Sequence, residues 1–301
     1  INNLKNLNIM VSRHSAFYSP LIACIAGDFL NSEGIEATYN IVKDGGNSAM
    51  EVGNGNMDVA QAAVSASWGP LEKGENLSFT HFAQINRFDG FFILGRENDK
   101  NFSWEKLSKS KFLYVHGGQP EAMLRYAAYK ENFDLDNVDN IFSTGGDQMM
   151  KQWNNGEGEY FHEQGAFPQQ LELEGKGFLL TSVGKSIGPV AFSSLVCRND
   201  WLQTDESIAF SKAYSASRKW VNTANPQEVA YIEKDFFPEM DVESISNAID
   251  FYQKLGTWSG EIAIEKDLYE TALDVFEFSN LISKRHSYDE VVSQPPNFHK
   301  S

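Results

Sequence analysis

The segment SRHSAFYSP, residues 12–20, follows an apolar run at residues 7–11 and leads directly into a helical pattern. Pro20 suits the first position of a helix, and apolar residues recur at helical spacing over residues 20–32 until Gly34 supplies a stop signal. A loop between the carboxyl end of a strand and a helix is where α/β proteins usually bind ligands. The segment is therefore either a capped turn whose aromatic rings enter the core or part of a binding site.

Length and charge limit the class of protein. A chain of 301 residues with 42% hydrophobic and 13% aromatic residues can bury a sizeable core and is long enough for about two domains. Its 25 Lys and Arg against 41 Asp and Glu leave a net charge of −16, which argues against nucleic acid and against an anionic membrane surface as partners. No run approaches the ~20 apolar residues of a membrane helix, and we expect any export signal to have been removed ahead of Ile1.

The two cysteines do not suggest a disulfide framework. Cys24 lies on the apolar face of the first predicted helix, and Cys197 lies in a strand-like run. We expect two buried thiols instead of a bridge, so the redox compartment stays open.

Strand and helix patterns alternate along the first 163 residues, which favours parallel sheets. The same order occurs twice at an offset of 100 residues, and a one-residue slip then aligns the strands that begin at Asp58 and Glu159. This repeat predicts two similar lobes. The landmarks that match are Pro20 with Pro120, Ile41 with Ile141, Gly45-Gly46 with Gly145-Gly146, Met50 with Met150, and Asn54 with Asn154.

The last third of the chain reads as a glycine-rich turn at 184–189, an apolar strand at 190–198 and then mostly helix. Such a return strand would bring the helices back to the first lobe. We therefore predict a discontinuous lobe I, residues 1–92 plus 190–301, and a lobe II of residues 93–189. Two crossings, near residues 91–97 and 189–192, would form a two-stranded hinge beside a ligand cleft.

Catalytic and metal-binding motifs are missing from the sequence. It contains no Gly-x-Ser-x-Gly elbow and no Walker loop, and Gly53-Asn54-Gly55 lacks the third glycine of a dinucleotide fingerprint. The six histidines and two cysteines form no closely spaced ligand pairs, so we expect no metal and no cofactor. The Arg-His-Ser loop could still place a nucleophile beside a base, which keeps an enzyme as an alternative.

Recognition chemistry is abundant in the loops that would face the cleft. Helix-start amides can hold an anionic group or a ring oxygen, aromatic rings can stack on a flat ligand, and a carboxylate can accept hydrogen bonds from an exocyclic amine. The predicted ligand-binding residues are Arg13, His14, Phe17, Tyr18, Asn47, Ser48, Ser65, Arg87, Gly117, Gly118, Gln119, Tyr160, His162 and Glu163.

Several of these residues also have a purely structural interpretation. Phe17 is more typical of a core residue, and Arg87 could pair with Asp89 at the surface. Tyr18, His162 and Glu163 are the strongest candidates of the set.

Four segments of the first half resemble the solute-binding proteins of ABC importers. They are similar to proteins of the NMT1/THI5-like group, which contains sulfonate, nitrate and taurine receptors together with receptors for thiamine-precursor pyrimidines. The resemblance is good over residues 7–95 and looser beyond them. The segments are SRHSAFYSPLIA at 12–23, GDFLNSEGIEA at 27–37, DGGN at 44–47 and GNGNMDVA at 53–60.

The resemblance implies a type II periplasmic-binding-protein fold, in which two α/β lobes are joined by a two-stranded hinge with a ligand cleft between them. It also implies a periplasmic or extracellular, membrane-tethered location and delivery of a ligand to a permease driven by a cytoplasmic ATPase. We expect a monomer. By the resemblance, residues 13–18, Asn47-Ser48 and Ser65 correspond to the first three ligand loops of the family.

Three classes of function remain open at this point. The preferred ligand is a small, flat, nitrogen-bearing ring such as a thiamine-precursor pyrimidine, and the alternative is a small organic anion held by Arg13 or Arg87. Relatives that synthesise the pyrimidine are enzymes with a cysteine-rich iron motif, which Cys24 and Cys197 do not supply. A sensor or structural module that keeps the cleft without transport is the third possibility.

Overall fold

A computed structural model describes residues 4–299, which contain ten strands and twelve α-helices. The strands are β1 Lys5–Val11, β2 Ile35–Ile41, β3 Val59–Ala63, β4 Thr80–Gln84, β5 Phe91–Gly95, β6 Lys111–Val115, β7 Asp139–Ser143, β8 Tyr160–Gln164, β9 Phe178–Ser182 and β10 Ser193–Cys197. The helices are α1 Ser19–Ala26, α2 Ser48–Gly53, α3 Trp68–Glu72, α4 Gly118–Lys130, α5 Gly146–Asn154, α6 Phe167–Leu173, α7 Val183–Ile187, α8 Asp205–Thr223, α9 Pro226–Glu233, α10 Val242–Leu255, α11 Lys266–Phe278 and α12 Tyr288–Val291.

The strands form two five-stranded sheets with the same topology. The first has the order β2-β1-β3-β10-β4 and the second the order β7-β6-β8-β5-β9. In each sheet three parallel strands are followed by one antiparallel strand that the other half of the chain supplies. This confirms the predicted two-lobe α/β architecture.

Both sheets are covered by helices, which accounts for their apolar strands. Leu7, Ile9 and Val11 of β1 are completely buried, and all five residues of β5 are buried. Burying each large apolar side chain contributes roughly 2 kcal/mol. Cys24 and Cys197 are free and buried, as predicted.

Two short crossings connect the sheets, at residues 85–90 and 188–192, so the first lies ahead of the predicted 91–97. Residues 91–95 pair instead as β5 in the second sheet. The crossings are bonded to each other: Val190 N donates to Arg87 O at 2.8 Å, and Ser193 N donates to Asn86 Oδ1 at 2.9 Å. Two paired crossings therefore connect the lobes as predicted, and the first lies at residues 85–90.

Three predicted elements differ from the structure. The first helix ends at Ala26 instead of residue 32, because Gly27 leaves the helical conformation and a 3-10 turn at Asn31–Glu33 continues the apolar spacing. The predicted glycine-rich turn at 184–189 is largely helix α7. Strand β9 was not predicted, since its residues lie at an edge and show no strict alternation.

Gly184 of α7 packs directly on the first crossing. A Cβ atom there would lie 2.4 Å from the backbone oxygen of Asp89. We expect Gly184→Ala to lower the free energy of unfolding by about 1–3 kcal/mol, because the backbone of the crossing must shift to make room. Urea denaturation measures this change.

Gly69→Ala is the matched control, since Gly69 lies in α3 with no atom within 4 Å of its would-be Cβ. We expect it to leave stability unchanged or to raise it by about 0.5–1 kcal/mol. Equal effects of the two substitutions would contradict close packing at the crossing.

Candidate functional site

The carboxyl ends of the parallel strands in the two sheets face each other, and side chains bridge between them. Arg13 Nη2, after β1, donates to the carbonyl oxygen of Thr144, after β7, at 2.6 Å. Ser65 N, after β3, donates at 3.4 Å to Oε1 of Gln119 in α4. Loops of both lobes thus meet along one cleft, the arrangement that favours ligand binding in α/β proteins.

The loop after β8 is held by lobe I through both backbone polar groups of Gly165. The oxygen of Gly165 accepts from Ser15 Oγ at 2.7 Å and from Ala16 N at 2.9 Å, while its N–H donates to the Tyr252 hydroxyl at 2.9 Å. That hydroxyl in turn donates to Gly90 O, in the first crossing, at 2.6 Å. Helix α10 therefore contacts the cleft loop and the crossing through one side chain.

An ion pair between Arg13 of lobe I and Glu163 of lobe II spans the cleft. Arg13 Nη1 lies 3.8 Å from Glu163 Oε1, and the Glu163 side chain is only 4% exposed. The two carboxylate oxygens also accept from Gly146 N, at the amino end of α5, and from Gln164 N, at 2.7 and 2.8 Å. Glu163 thus occupies the helix end where an anionic ligand could otherwise bind.

Hydrogen bonds between neutral side chains lie next to this pair, and one of them crosses the cleft. Ser12 donates through N and Oγ to Gln61 Oε1, and Gln61 Nε2 donates to Ser193 Oγ at 3.1 Å. The Tyr18 hydroxyl accepts from Gln164 Nε2 at 3.4 Å. Burial raises the pKa of Tyr18, so its hydroxyl stays neutral and can both donate and accept.

His162, on β8, is a buried neutral donor. Its Nδ1 accepts from Val115 N at 3.3 Å, so in the neutral ring the proton sits on Nε2. Burial lowers the pKa of His162 well below its ordinary value, and nearby Arg13 and His116 lower it further. Its ring stacks on Phe91 with centroids 4.2 Å apart.

Two polar atoms at this point have no hydrogen-bond partner among residues 4–299. They are Nε2 of His162, a donor, and Oε1 of Gln164, an acceptor, and both are buried. The residues are two apart on β8, so their side chains share one face of the strand. Unpaired buried polar groups are costly, which makes this face a candidate contact for a polar ligand.

Comparison with known proteins finds one similar sequence and many similar structures. No family model matches the sequence. The candidate binding protein YtlA of Bacillus subtilis (strain 168) is 24% identical over 306 residues, covering 97% of this chain and 88% of that protein.

Solved structures match over nearly the whole chain. A ligand-binding component of an ABC-type import system from Staphylococcus aureus, with zinc bound, has a TM-score of 0.76 at 16% identity, covering 98% of each chain. The alkanesulfonate-binding protein SsuA of Xanthomonas axonopodis pv. citri, bound to MOPS, has a TM-score of 0.74 at 10% identity, covering 96% of this chain and 98% of its own. The periplasmic nitrate-binding protein NrtA of Synechocystis PCC 6803 has a TM-score of 0.68 at 15% identity, covering 95% and 84%.

The chain has the type II periplasmic-binding-protein fold. The described residues contain no group of three or more His, Cys, Asp or Glu side chains that could hold a metal ion. Between residues 4 and 299 there is also no helix long and apolar enough to cross a membrane.

Within this fold, five of the residues predicted from sequence line the cleft with their side chains or bridge it: Arg13, Tyr18, Gln119, His162 and Glu163. Gln119 also donates to Ala191 O in the second crossing at 3.0 Å. Ser65 contributes its backbone N–H, and Gly117 and Gly118 open α4 with positive φ angles of 84° and 60°.

Two residues of the 12–20 loop lie elsewhere. Both nitrogens of His14 are engaged in lobe I, Nδ1 with the Tyr39 hydroxyl at 2.6 Å and Nε2 with Phe236 O at 2.5 Å. Phe17 is fully buried and packs on Phe192 and Tyr252. The structure therefore places these two side chains in the lobe packing and not in the cleft.

The other predicted residues also have structural partners. Asn47 caps α2 by accepting from Met50 N, and Ser48 Oγ donates to Gln61 O. Arg87 pairs with Glu265 at 2.7 Å on the surface. Tyr160 begins β8, four residues before the strand's carboxyl end, so it lies roughly 13 Å from the cleft.

Gln61 and Ser193 were missing from the residues predicted from sequence, although the network depends on them. Each had a signal: Gln61 is a polar amide inside the apolar strand VAQAA, and Ser193 begins a buried strand. A polar residue inside an otherwise apolar strand, as Gln61 is, can therefore indicate the cleft.

The first crossing carries a buried carboxyl group with an unusual titration. Asp89 is fully buried, and burial raises its pKa to about 7 even though Oδ1 accepts from Phe91 N at 2.7 Å. The folded state therefore retains a proton that the unfolded chain releases near pH 4. Stability should fall as pH rises from about 4 to about 7, by on the order of a few kcal/mol, and change little from this group above that range.

We expect Asp89→Asn to remove this pH dependence, because the amide keeps the acceptor oxygen and cannot ionise. Urea titrations at pH 5 and pH 8 measure the difference, and Asp44→Asn, in an exposed turn, is the control. The prediction is contradicted if the difference in free energy of unfolding between the wild type and Asp89→Asn is the same at pH 5 and at pH 8. Asp89 would then ionise in the folded state without a cost in stability.

Proposed function

We propose that this chain is the solute-binding component of an ABC importer, with two lobes as predicted but with the first boundary in the crossing at residues 85–90 instead of after residue 92, since Phe91 and Phe92 pair in the second sheet. The lobes close on a small molecule, which is passed to a permease driven by a cytoplasmic ATPase. The observation that carries the proposal is the bridging of the cleft by Arg13, Tyr18 and Gln119 from opposite lobes. The names of YtlA and of the structural neighbours support the same class.

We further propose that the protein acts outside the cytoplasm, as a monomer, and does not transform its ligand. The cleft presents hydrogen-bonding groups, but its carboxylate is held by backbone amides and its imidazole is stacked and buried. Neither group is placed as a base beside an activated nucleophile. Recovery of unchanged ligand after long incubation supports a receptor, and turnover would contradict it.

The ligand we favour is a small, flat, nitrogen-bearing ring, such as a thiamine-precursor pyrimidine. The cleft is close to electrically neutral because Arg13 is matched by Glu163. Glu163 already fills the amino end of α5, and the surrounding side chains are aromatic or amide groups. A neutral ring with several polar atoms would satisfy such a site at the lowest electrostatic cost.

A small organic anion is the second candidate ligand. Arg13 remains a cation within the cleft, and the 13-residue helix α4 directs its amino end toward it through Gly118 and Gln119. The structural neighbours named for alkanesulfonate and nitrate support this alternative.

A thermal-shift screen tests the proposed function directly. We expect aminopyrimidines to raise the Tm by several degrees, since a ligand at 100 times its Kd stabilises a protein by about 2.7 kcal/mol. The panel includes alkanesulfonates, MOPS, nitrate and taurine. If only anions raise the Tm, the proposal of a ring ligand is wrong and the proposal of a receptor stands. If no compound raises the Tm, both proposals are contradicted.

Glu163→Gln separates the two ligand classes by charge. Removing the carboxylate leaves Arg13 uncompensated, so a sulfonate should bind about tenfold tighter, whereas a neutral ring should change by less than about threefold. Calorimetric titration gives the two affinities. Asp147→Asn removes a nearby charge in the first turn of α5 and serves as the control; if it acts as strongly as Glu163→Gln, net charge and not the cleft pair governs anion binding.

A further inference from the structure

Two side-chain atoms on β8, His162 Nε2 and Gln164 Oε1, have no hydrogen-bond partner among residues 4–299 and could bind a ligand. His162 Nε2 is a donor whose proton is fixed by the bond from Val115 N to Nδ1, and Gln164 Oε1 is an acceptor whose amide nitrogen is already used by Tyr18. One donor and one acceptor therefore point from the same face of one strand.

This face is turned toward lobe I. Gln164 contacts Tyr18 of lobe I directly, and the Arg13 guanidinium lies 6.0 Å from the centre of the Phe91 ring on which His162 stacks. The Tyr18 hydroxyl holds the Gln164 amide nitrogen from the opposite side of the cleft. Residues of both lobes therefore surround the pair, which lies at the interface of the lobes and not in the interior of lobe II.

We propose that His162 and Gln164 are the specificity-determining pair of the cleft, reading a ring edge that carries a hydrogen-bond acceptor next to a donor. A ring nitrogen accepts from His162 Nε2, and an adjacent exocyclic amine donates to Gln164 Oε1. This is the edge of a 4-aminopyrimidine. The inference rests on the proposed function, because it requires a ligand between the lobes.

The pair also explains why a sulfonate is a poorer match at this position. Sulfonate oxygens only accept hydrogen bonds, so they could satisfy His162 Nε2 but would face the lone pairs of Gln164 Oε1. A site built to bind both a donor and an acceptor discriminates strongly against ligands that lack one of them, because the group left unpaired is buried.

Three uncharged probes of similar shape test the pair on the wild-type protein. 4-Amino-2-methylpyrimidine has both groups, 2,4-dimethylpyrimidine lacks the amine, and 3-methylaniline lacks the ring nitrogens. We expect the first to bind about tenfold tighter than either of the others in titrations followed by NMR. Equal binding of all three would overturn the pair while leaving the receptor intact.

Two substitutions then assign each half of the pattern. Gln164→Met should reduce the preference over 2,4-dimethylpyrimidine to less than about threefold and keep the preference over 3-methylaniline. His162→Phe keeps the stacking on Phe91. It should reduce the preference over 3-methylaniline to less than about threefold and keep the preference over 2,4-dimethylpyrimidine. These ratios are insensitive to general loosening of the cleft, because such loosening weakens all three probes alike.

Gln169→Met is the matched control, since Gln169 is another buried glutamine of lobe II whose amide has no partner within residues 4–299. It should keep both preferences. Retention of both preferences in Gln164→Met, or equal loss of affinity for all three probes, would overturn the inference. If no pyrimidine binds the wild type and sulfonates do, the ring ligand and the pair fail together and the receptor stands.

Discussion

The exchange of one strand between the two halves of the chain determines the rest of the structure. β5 inserts antiparallel between β8 and β9, and β10 inserts in the same way between β3 and β4. Each inserted strand comes directly from a crossing, so the two crossings must lie side by side at the base of the cleft. The parallel strands then have their carboxyl ends directed at one another, and a binding site between the lobes follows from topology alone.

Much of this architecture could be predicted from sequence, because the repeated landmarks and the alternation of strands and helices carry it. The site was harder, because a residue's role depends on where its strand ends. His162 and Tyr160 belong to the same strand, yet the two residues of rise between them separate a cleft group from a partly buried ring of the lobe packing. His14 stands beside Arg13 in sequence, but tertiary contacts with Tyr39 and Phe236 turn it into the lobe. Pattern alone does not contain those contacts.

Charge is distributed unevenly between the protein's surface and its cleft. The chain carries −16 overall, but the cleft holds one matched pair and otherwise neutral groups. The buried Tyr18 and His162 are kept neutral by the same loss of solvent that shifts the pKa of each. A neutral interior of this kind selects ligands by the arrangement of donors and acceptors, since long-range attraction contributes little.

The Tyr252 hydroxyl has a mechanical consequence. One oxygen atom accepts from Gly165 N in lobe II and donates to Gly90 O in the first crossing. The angle of the crossing and the position of the cleft loop therefore cannot vary independently while both bonds are kept. Helix α10, which carries Tyr252 on its buried face, is therefore tied to the crossing and to the cleft loop through a single hydroxyl group.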